Sequence, residues 1–162
     1  MTNFGELYER YARDVYRFAV YLSGDPALAQ DIAAETFVRA YTADVPIRVA
    51  TVKAYLFTIA RNLHLHHLRR ASKQQGLDEA MLDPAVDLQL AAEQKAELRT
   101  VLQDMQTLPE ADRAALLMRA EEGMTYEEIA RSLGLSLVAV KVKIHRARQT
   151  LAHLRNNRRE LQ

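Results

Sequence analysis

The chain has 162 residues, with 22 Lys and Arg against 21 Asp and Glu, so it has room for one domain or two very small ones. This length excludes a large catalytic barrel or a doubly wound sheet. A hydrophobic content of 49%, with only 5 Gly and 4 Pro, predicts a folded and mostly helical protein. Cys is absent, and there is neither a basic leader before an apolar segment nor a membrane-length apolar run. We therefore expect a cytoplasmic protein without membrane insertion.

Charged and aromatic residues are unevenly distributed along the chain. Residues 61–73 and 141–159 are both basic and contain no acid, whereas residues 78–97 are mainly acidic. Every aromatic residue except Tyr126 precedes residue 58. The pattern predicts two small domains with different cores, residues 1–72 and 91–162, joined by a flexible linker at 73–90.

The first two predicted helices have clear starts and ends. Asn3 and Glu6 resemble a capping box for a helix that ends near Gly24, and Asp25-Pro26 then starts a second helix that ends near Thr42. The second helix has a predicted buried stripe of Ala29, Ile32, Ala33, Thr36, Phe37, Ala40 and Tyr41. Its opposite face carries a row of residues spaced four apart, which is a candidate contact surface: Asp31, Glu35 and Arg39.

A third helix follows a short apolar loop at residues 42–50, and Thr51 is its predicted N-cap. Its predicted inward side chains are Leu56, Ile59, Ala60, Leu63 and Leu68. The first basic segment occupies the second half of this helix.

The C-terminal part predicts a helix-turn-helix. Helical spacing over residues 88–105 precedes a helix opened by Pro109. Thr125 and Glu128 then form a capping box, Gly134 suits a left-handed turn, and Ser136 caps a long final helix. Its outward residues suit a DNA groove: Lys141, Val142, Lys143, His145, Arg146 and Arg148. Since no segment alternates like a strand, the predicted fold class is all-α.

Two sets of motifs occur in order around the linker. The first comprises residues 31–41, 55–62 and 68–70; the second comprises Leu108-Pro109 and residues 125–134 and 140–148. Over nearly the whole chain, these segments resemble bacterial RNA polymerase sigma factors of the extracytoplasmic-function (ECF) group, in the sigma-70 family.

The resemblance implies a sigma factor that binds core RNA polymerase and promoter DNA, with a possible anti-sigma partner. It places core-polymerase binding at Asp31, Glu35 and Arg39. It implies that the −10 element of the promoter is contacted by Arg61, Asn62, Arg69 and Arg70, together with the loop at residues 42–50. It implies that the six outward residues of the final helix contact the −35 element. Lys141, Val142, His145 and Arg146 would lie nearest the base edges, and Lys143 and Arg148 nearer phosphate. The implied protein is monomeric when free, has no cofactor or metal, and is not an enzyme.

Other functions remain open from the residues alone. A two-domain helix-turn-helix regulator would bind DNA without polymerase, dimerise and protect a palindrome. A helical interaction module would use its basic ends only for solubility. His64 and His67 are three apart, as metal ligands can be, but no Cys or evident carboxylate completes a site. Asp31 and Glu35 could form an acid–base pair, although such spacing is usual on a solvated helix face.

Overall fold

The computed structural model describes residues 4–42, 51–73 and 96–161. Within these ranges the chain forms seven helices and no strand, which confirms the all-α prediction. The loop at 43–50, Asn3, and the predicted linker beyond Lys73 lie outside the described residues. The helices are α1 (Phe4–Ser23), α2 (Pro26–Thr42), α3 (Val52–Lys73), α4 (Ala96–Gln106), α5 (Glu110–Ala120), α6 (Tyr126–Leu133) and α7 (Leu137–Glu160).

The first three helices pack on one another. Their aromatic core includes Phe18 of α1 and Phe57 of α3, whose ring centroids lie 4.8 Å apart in an edge-to-face arrangement. Two predicted N-caps are confirmed. Asp25 Oδ1 accepts a hydrogen bond from the Leu28 amide at 3.1 Å, and Thr51 Oγ1 accepts one from the Ala54 amide at 3.1 Å.

The last two helices form the predicted helix-turn-helix. Thr125 and Glu128 make both hydrogen bonds of a capping box at the start of α6. Gly134 has a φ of 67°, a left-handed conformation that disfavours residues with a Cβ, and its amide donates to the Ala130 carbonyl. Ser136 then caps α7 by accepting from the Ala139 amide. Short local signals therefore set the angle at which α7 leaves α6.

The N-terminal and C-terminal halves pack directly against each other. Helix α1 contacts α4 and α5, and α3 contacts α6. At the α3–α6 contact the hydroxyl oxygens of Thr58 and Ser132 are 2.5 Å apart, and Thr51 donates to Glu128 at 3.1 Å. Buried side chains of both halves form one hydrophobic cluster, so the described residues differ from the expected pair of separate cores.

A buried arginine joins this shared core to the surrounding backbone. Arg113 of α5 is 7% exposed and donates to the carbonyl oxygens of Met105 and Leu108, each at 2.9 Å, and of Leu22. Burial lowers the pKa of the Arg113 guanidinium, while nearby Glu110 opposes that shift. Leu22 and Met105 each lie one residue before the last residue of their helices, α1 and α4, and Leu108 lies in the turn between α4 and α5. The Arg113 side chain therefore ties three helices together.

Two residues predicted to be buried are exposed. Tyr41 is 70% exposed because it lies one residue before the end of α2, where its ring packs edge-on against Phe4 with 5.1 Å between the ring centroids. Leu68 is 45% exposed because it belongs to the final part of α3, where residues 68–73 are all exposed. The remaining predicted inward residues of α3 are buried or half-buried.

We expect Arg113→Met to destabilise the protein strongly. Methionine fills much of the same space but supplies no donor, and each buried carbonyl left unpaired costs about 1 to 3 kcal/mol. The free energy of unfolding from urea denaturation should fall accordingly. Arg131→Met, at an exposed position of α6, serves as the control and should change little. Equal stability of the two variants would contradict the structural role of Arg113.

Candidate polymerase and nucleic-acid interfaces

The final helix presents an exposed basic face. Five of the six predicted −35 residues are exposed: Lys141, Val142, His145, Arg146 and Arg148. Val138, one turn before Val142, is also 70% exposed. On the opposite side Val140, Ile144 and Ala147 are buried and hold the helix to the domain. The helix therefore offers cations and two apolar side chains on one surface, which suits a DNA groove.

Asp112 lies beneath this surface and binds two of the predicted DNA contacts. Arg146 donates to its carboxylate twice, from Nε to Oδ2 at 2.7 Å and from Nη2 to Oδ1 at 2.9 Å. Lys143 Nζ lies 3.6 Å from Oδ1. The hydrogen bond from Arg146 is the main reason that the pKa of Asp112 is lowered, and burial opposes it. Lys143, predicted to point towards phosphate, instead faces this carboxylate in the structure.

The predicted −10 residues on α3 divide into two groups. Asn62, Arg69 and Arg70 are exposed. The Arg61 side chain is only 13% exposed and donates to Glu110 of α5, at 3.0 Å from Nε and 2.6 Å from Nη2. Arg61 is thus part of the contact between the two halves and is not grouped with the exposed residues.

Glu110 lies between two residues of the first basic segment. Besides the bonds from Arg61, its Oε1 lies 3.6 Å from Nδ1 of His64, which is buried. Burial alone would raise the pKa of Glu110, but the neighbouring His64 and Arg61 outweigh it and lower the pKa to about 2. His64 therefore belongs to the interior contact between halves, while His67 is only half-buried.

The predicted polymerase-binding row is exposed along α2. Asp31, Glu35 and Arg39 are all accessible, and Arg39 Nε donates to Glu35 at 3.1 Å. An exposed pair of this spacing contributes little to stability. Burial is the main cause that lowers the pKa of His67 on α3, and Asp31 is the one neighbouring charge that opposes it. The row therefore borders α3 but is not covered by the C-terminal half.

Glu122 is a further buried carboxylate at the contact between halves. Its side chain is fully buried, with Arg17 Nη2 3.5 Å from Oε1 and Lys53 Nζ 3.4 Å from Oε2. Burial raises the pKa of Glu122. The sequence predictions included neither Glu122 nor Glu110 and Asp112. No local signal marks them, because the arginines that bind them are 34 to 105 residues away in the chain.

Two family descriptions match the two halves of the chain. Residues 7–74 match sigma-70 region 2, and residues 98–151 match sigma-70 region 4. The ECF RNA polymerase sigma factor SigM of Bacillus subtilis is 32% identical over 154 residues, covering 93% of this chain and 94% of SigM. The chain belongs to the ECF sigma factors of RNA polymerase. As an alternative sigma factor it binds core polymerase and directs promoter recognition and transcription initiation.

Solved structures agree with this fold. The sigma factor RpoE of Bartonella quintana, crystallised with the anti-sigma factor NepR, matches with a TM-score of 0.77 at 22% identity over 94% of this chain and 96% of RpoE. CnrH, solved with the cytosolic domain of CnrY, matches with a TM-score of 0.69 at 28% identity over 95% and 88% of the two chains. The prediction of a sigma factor is confirmed, and the alternative of a polymerase-independent regulator is not favoured.

No helix in the described parts of this sigma factor is both long and apolar enough to cross a bilayer.

Acid should weaken the Glu110 contact in a defined pH range. Its folded pKa is about 2 and its unfolded value about 4.5, so its stabilising contribution is complete above pH 4.5 and is lost as pH falls towards 2. We expect Glu110→Gln to lower the free energy of unfolding at pH 7 and to show less further loss than wild type between pH 4.5 and 2. Urea denaturation at each pH measures both effects, and parallel pH curves for the two proteins would contradict the assignment.

Proposed function

We propose that the three N-terminal helices dock on core polymerase and engage the −10 element, and that the four C-terminal helices bind the −35 element. The division follows the predicted domains at 1–72 and 91–162. The observation that carries the proposal is the exposure of the row on α2, which stays uncovered although the two halves pack together. Family membership identifies core polymerase as the partner, and the exposure of Asp31, Glu35 and Arg39 gives a surface on which the polymerase could dock.

The exposed residues of α3 support the −10 assignment. Arg69 and Arg70 bind phosphate by charge, and the amide of Asn62 offers both a donor and an acceptor to an unstacked base. Arg61 is bound by Glu110. Its proposed contact with DNA therefore requires the two halves to separate, which makes Asn62, Arg69 and Arg70 the contacts available in the packed arrangement.

The exposed face of α7 supports the −35 assignment. Lys141, His145 and Arg146 supply donors for base edges, and Val142 supplies an apolar contact for a thymine methyl group. Arg148 lies further along the exposed side and suits phosphate. Lys143 is held near Asp112 and is a weaker candidate for direct contact.

The wider setting of this activity is also part of the proposal. The chain acts in the cytoplasm with the polymerase, which performs the chemistry, so the sigma factor itself is not an enzyme. It is monomeric when free of polymerase. A protein regulator restrains it, since CnrH, a relative with matching structure, forms a complex with the cytosolic domain of CnrY.

Reversing the charge of the row tests the docking assignment. The double variant Asp31→Lys, Glu35→Lys should lose co-purification with core polymerase while its thermal unfolding stays close to wild type, because both side chains are exposed. In vitro transcription should fall in parallel. Glu9→Lys with Glu97→Lys is the charge-matched control, at exposed positions of α1 and α4, and should retain polymerase binding.

Unchanged co-purification of the Asp31 and Glu35 variant would refute the docking row. Wild-type protein that directs core polymerase to no promoter in a library would refute the proposed function as a whole.

A further inference from the structure

The Asp112–Arg146 pair combines a buried carboxylate with an accessible guanidinium. Asp112 lies in the first turn of α5 and is 0% exposed as a residue, whereas the side chain of Arg146 is 53% exposed. The bonds from Nε and Nη2 use one side of the guanidinium. Arg146 is thus held from beneath while the end of its side chain remains accessible.

The unused donors form a fork of the kind that recognises guanine. A guanidinium has five N–H groups, and the pair with Asp112 occupies the Nε hydrogen and one Nη2 hydrogen. Both Nη1 hydrogens and the second Nη2 hydrogen remain, and one hydrogen from each nitrogen lies on the edge formed by Nη1 and Nη2. Two parallel donors on this edge match O6 and N7 of guanine in the major groove.

Two further pairs in the protein show what distinguishes this one. Arg61 and Glu110 have the same two-bond geometry, but the Arg61 side chain is only 13% exposed. Arg158 donates to Asp104 from Nη2 alone, and Asp104, at 19% side-chain exposure, is less buried than Asp112. Among these pairs, only Asp112 and Arg146 join a buried acceptor to an exposed fork on the proposed DNA-binding face.

Fixing Arg146 before binding has a physical advantage. A free arginine loses rotamer freedom when it is ordered against a base, and a side chain already held in place loses less. The carboxylate also offsets one positive charge on α7, which weakens its general attraction to phosphate. Both effects favour discrimination between bases over affinity for any duplex.

We infer that Asp112 is a positioning residue that orients Arg146 to recognise one guanine in the −35 element. This inference rests on the proposed −35 role of α7 and adds to it the base, the side chain that recognises it and the buried group that orients that side chain. The Nζ atom of Lys143 lies 3.6 Å from Oδ1 of the same carboxylate, so Asp112 also offsets the charge of this second cation.

The test uses full-length protein assembled with core polymerase and a promoter library randomised at the −35 element. If Arg146 recognises a guanine, Arg146→Ala should reduce preference at one base pair by about 5- to 150-fold and leave the other positions unchanged. Asp112→Asn should lose most of the same preference, while binding to unrelated duplex DNA is maintained or strengthened because a negative charge is removed. In the double variant, Asp112→Asn should add no further loss.

Asp104→Asn is the matched control, because it removes one acid that pairs with an arginine of the same helix. It should leave the base preference intact. Arg146→Lys covers the case in which Asp112→Asn does not fold, since it keeps the charge at an exposed position but cannot form a fork. It too should lose the preference at that base pair and keep affinity for other sequences.

Three outcomes would overturn the inference. One is a uniform loss across all base positions in Arg146→Ala, which makes Arg146 a phosphate contact. Another is unaltered preference in Asp112→Asn or Arg146→Lys. The last is an effect of Asp112→Asn that persists when Arg146 is already alanine. In each case promoter-selective transcription by the wild type would leave the proposed function standing, whereas its absence would refute that function.

Discussion

The first turn of α5 holds the described structure together. Three charged residues within four positions each bind a different part of the chain. Glu110 binds Arg61 of α3 and Asp112 binds Arg146 of α7. Arg113 donates to carbonyl groups near the ends of α1 and α4 and in the turn between α4 and α5. Pro109 precedes this turn and lacks an amide hydrogen, which a first helical turn does not need. A single helix start therefore sets the positions of four other helices.

These contacts specify the arrangement more than they strengthen it. Removing two charges from water costs several kcal/mol, and their attraction in the interior offsets that cost only when the geometry is good. The hydrophobic cluster common to both halves supplies the main driving force. The charged pairs then favour one registration of the halves, because any shift would leave a buried carboxylate or carbonyl without a donor.

Sequence reasoning was most accurate where the signal is local. Thr125 with Glu128, Gly134 and Ser136 lie within a dozen residues and satisfy their own helix ends, so their roles could be predicted without knowing the fold. The exposed row on α2 and the exposed face of α7 followed from helical spacing in the same way. Helical spacing predicts inward positions for Tyr41 and Leu68, which are exposed, because spacing gives the inward side of a helix but not the point at which the neighbouring helices end.

The carboxylate partners could not be predicted for a different reason. Glu110 and Asp112 are ordinary first-turn acids by local criteria, since carboxylates are favoured at helix starts in general. Their partners are 49 and 34 residues away and are determined only when the helices pack. As a result, Arg61 and Arg146 looked alike in the sequence as basic residues available to DNA, although the structure places one in the interior and the other at the surface.

The two pairs also differ in what separation of the halves would do to them. Arg61 and Glu110 lie on opposite sides of the contact between halves, so opening that contact breaks their pair and releases a cation on the proposed −10 surface. Asp112 and Arg146 both belong to the C-terminal helices, so their pair survives the same motion. In the proposed function, the −35 contact is therefore prearranged in the free protein. The same proposal implies that Arg61 would become available for the −10 contact only on separation of the halves, because Glu110 otherwise binds its guanidinium.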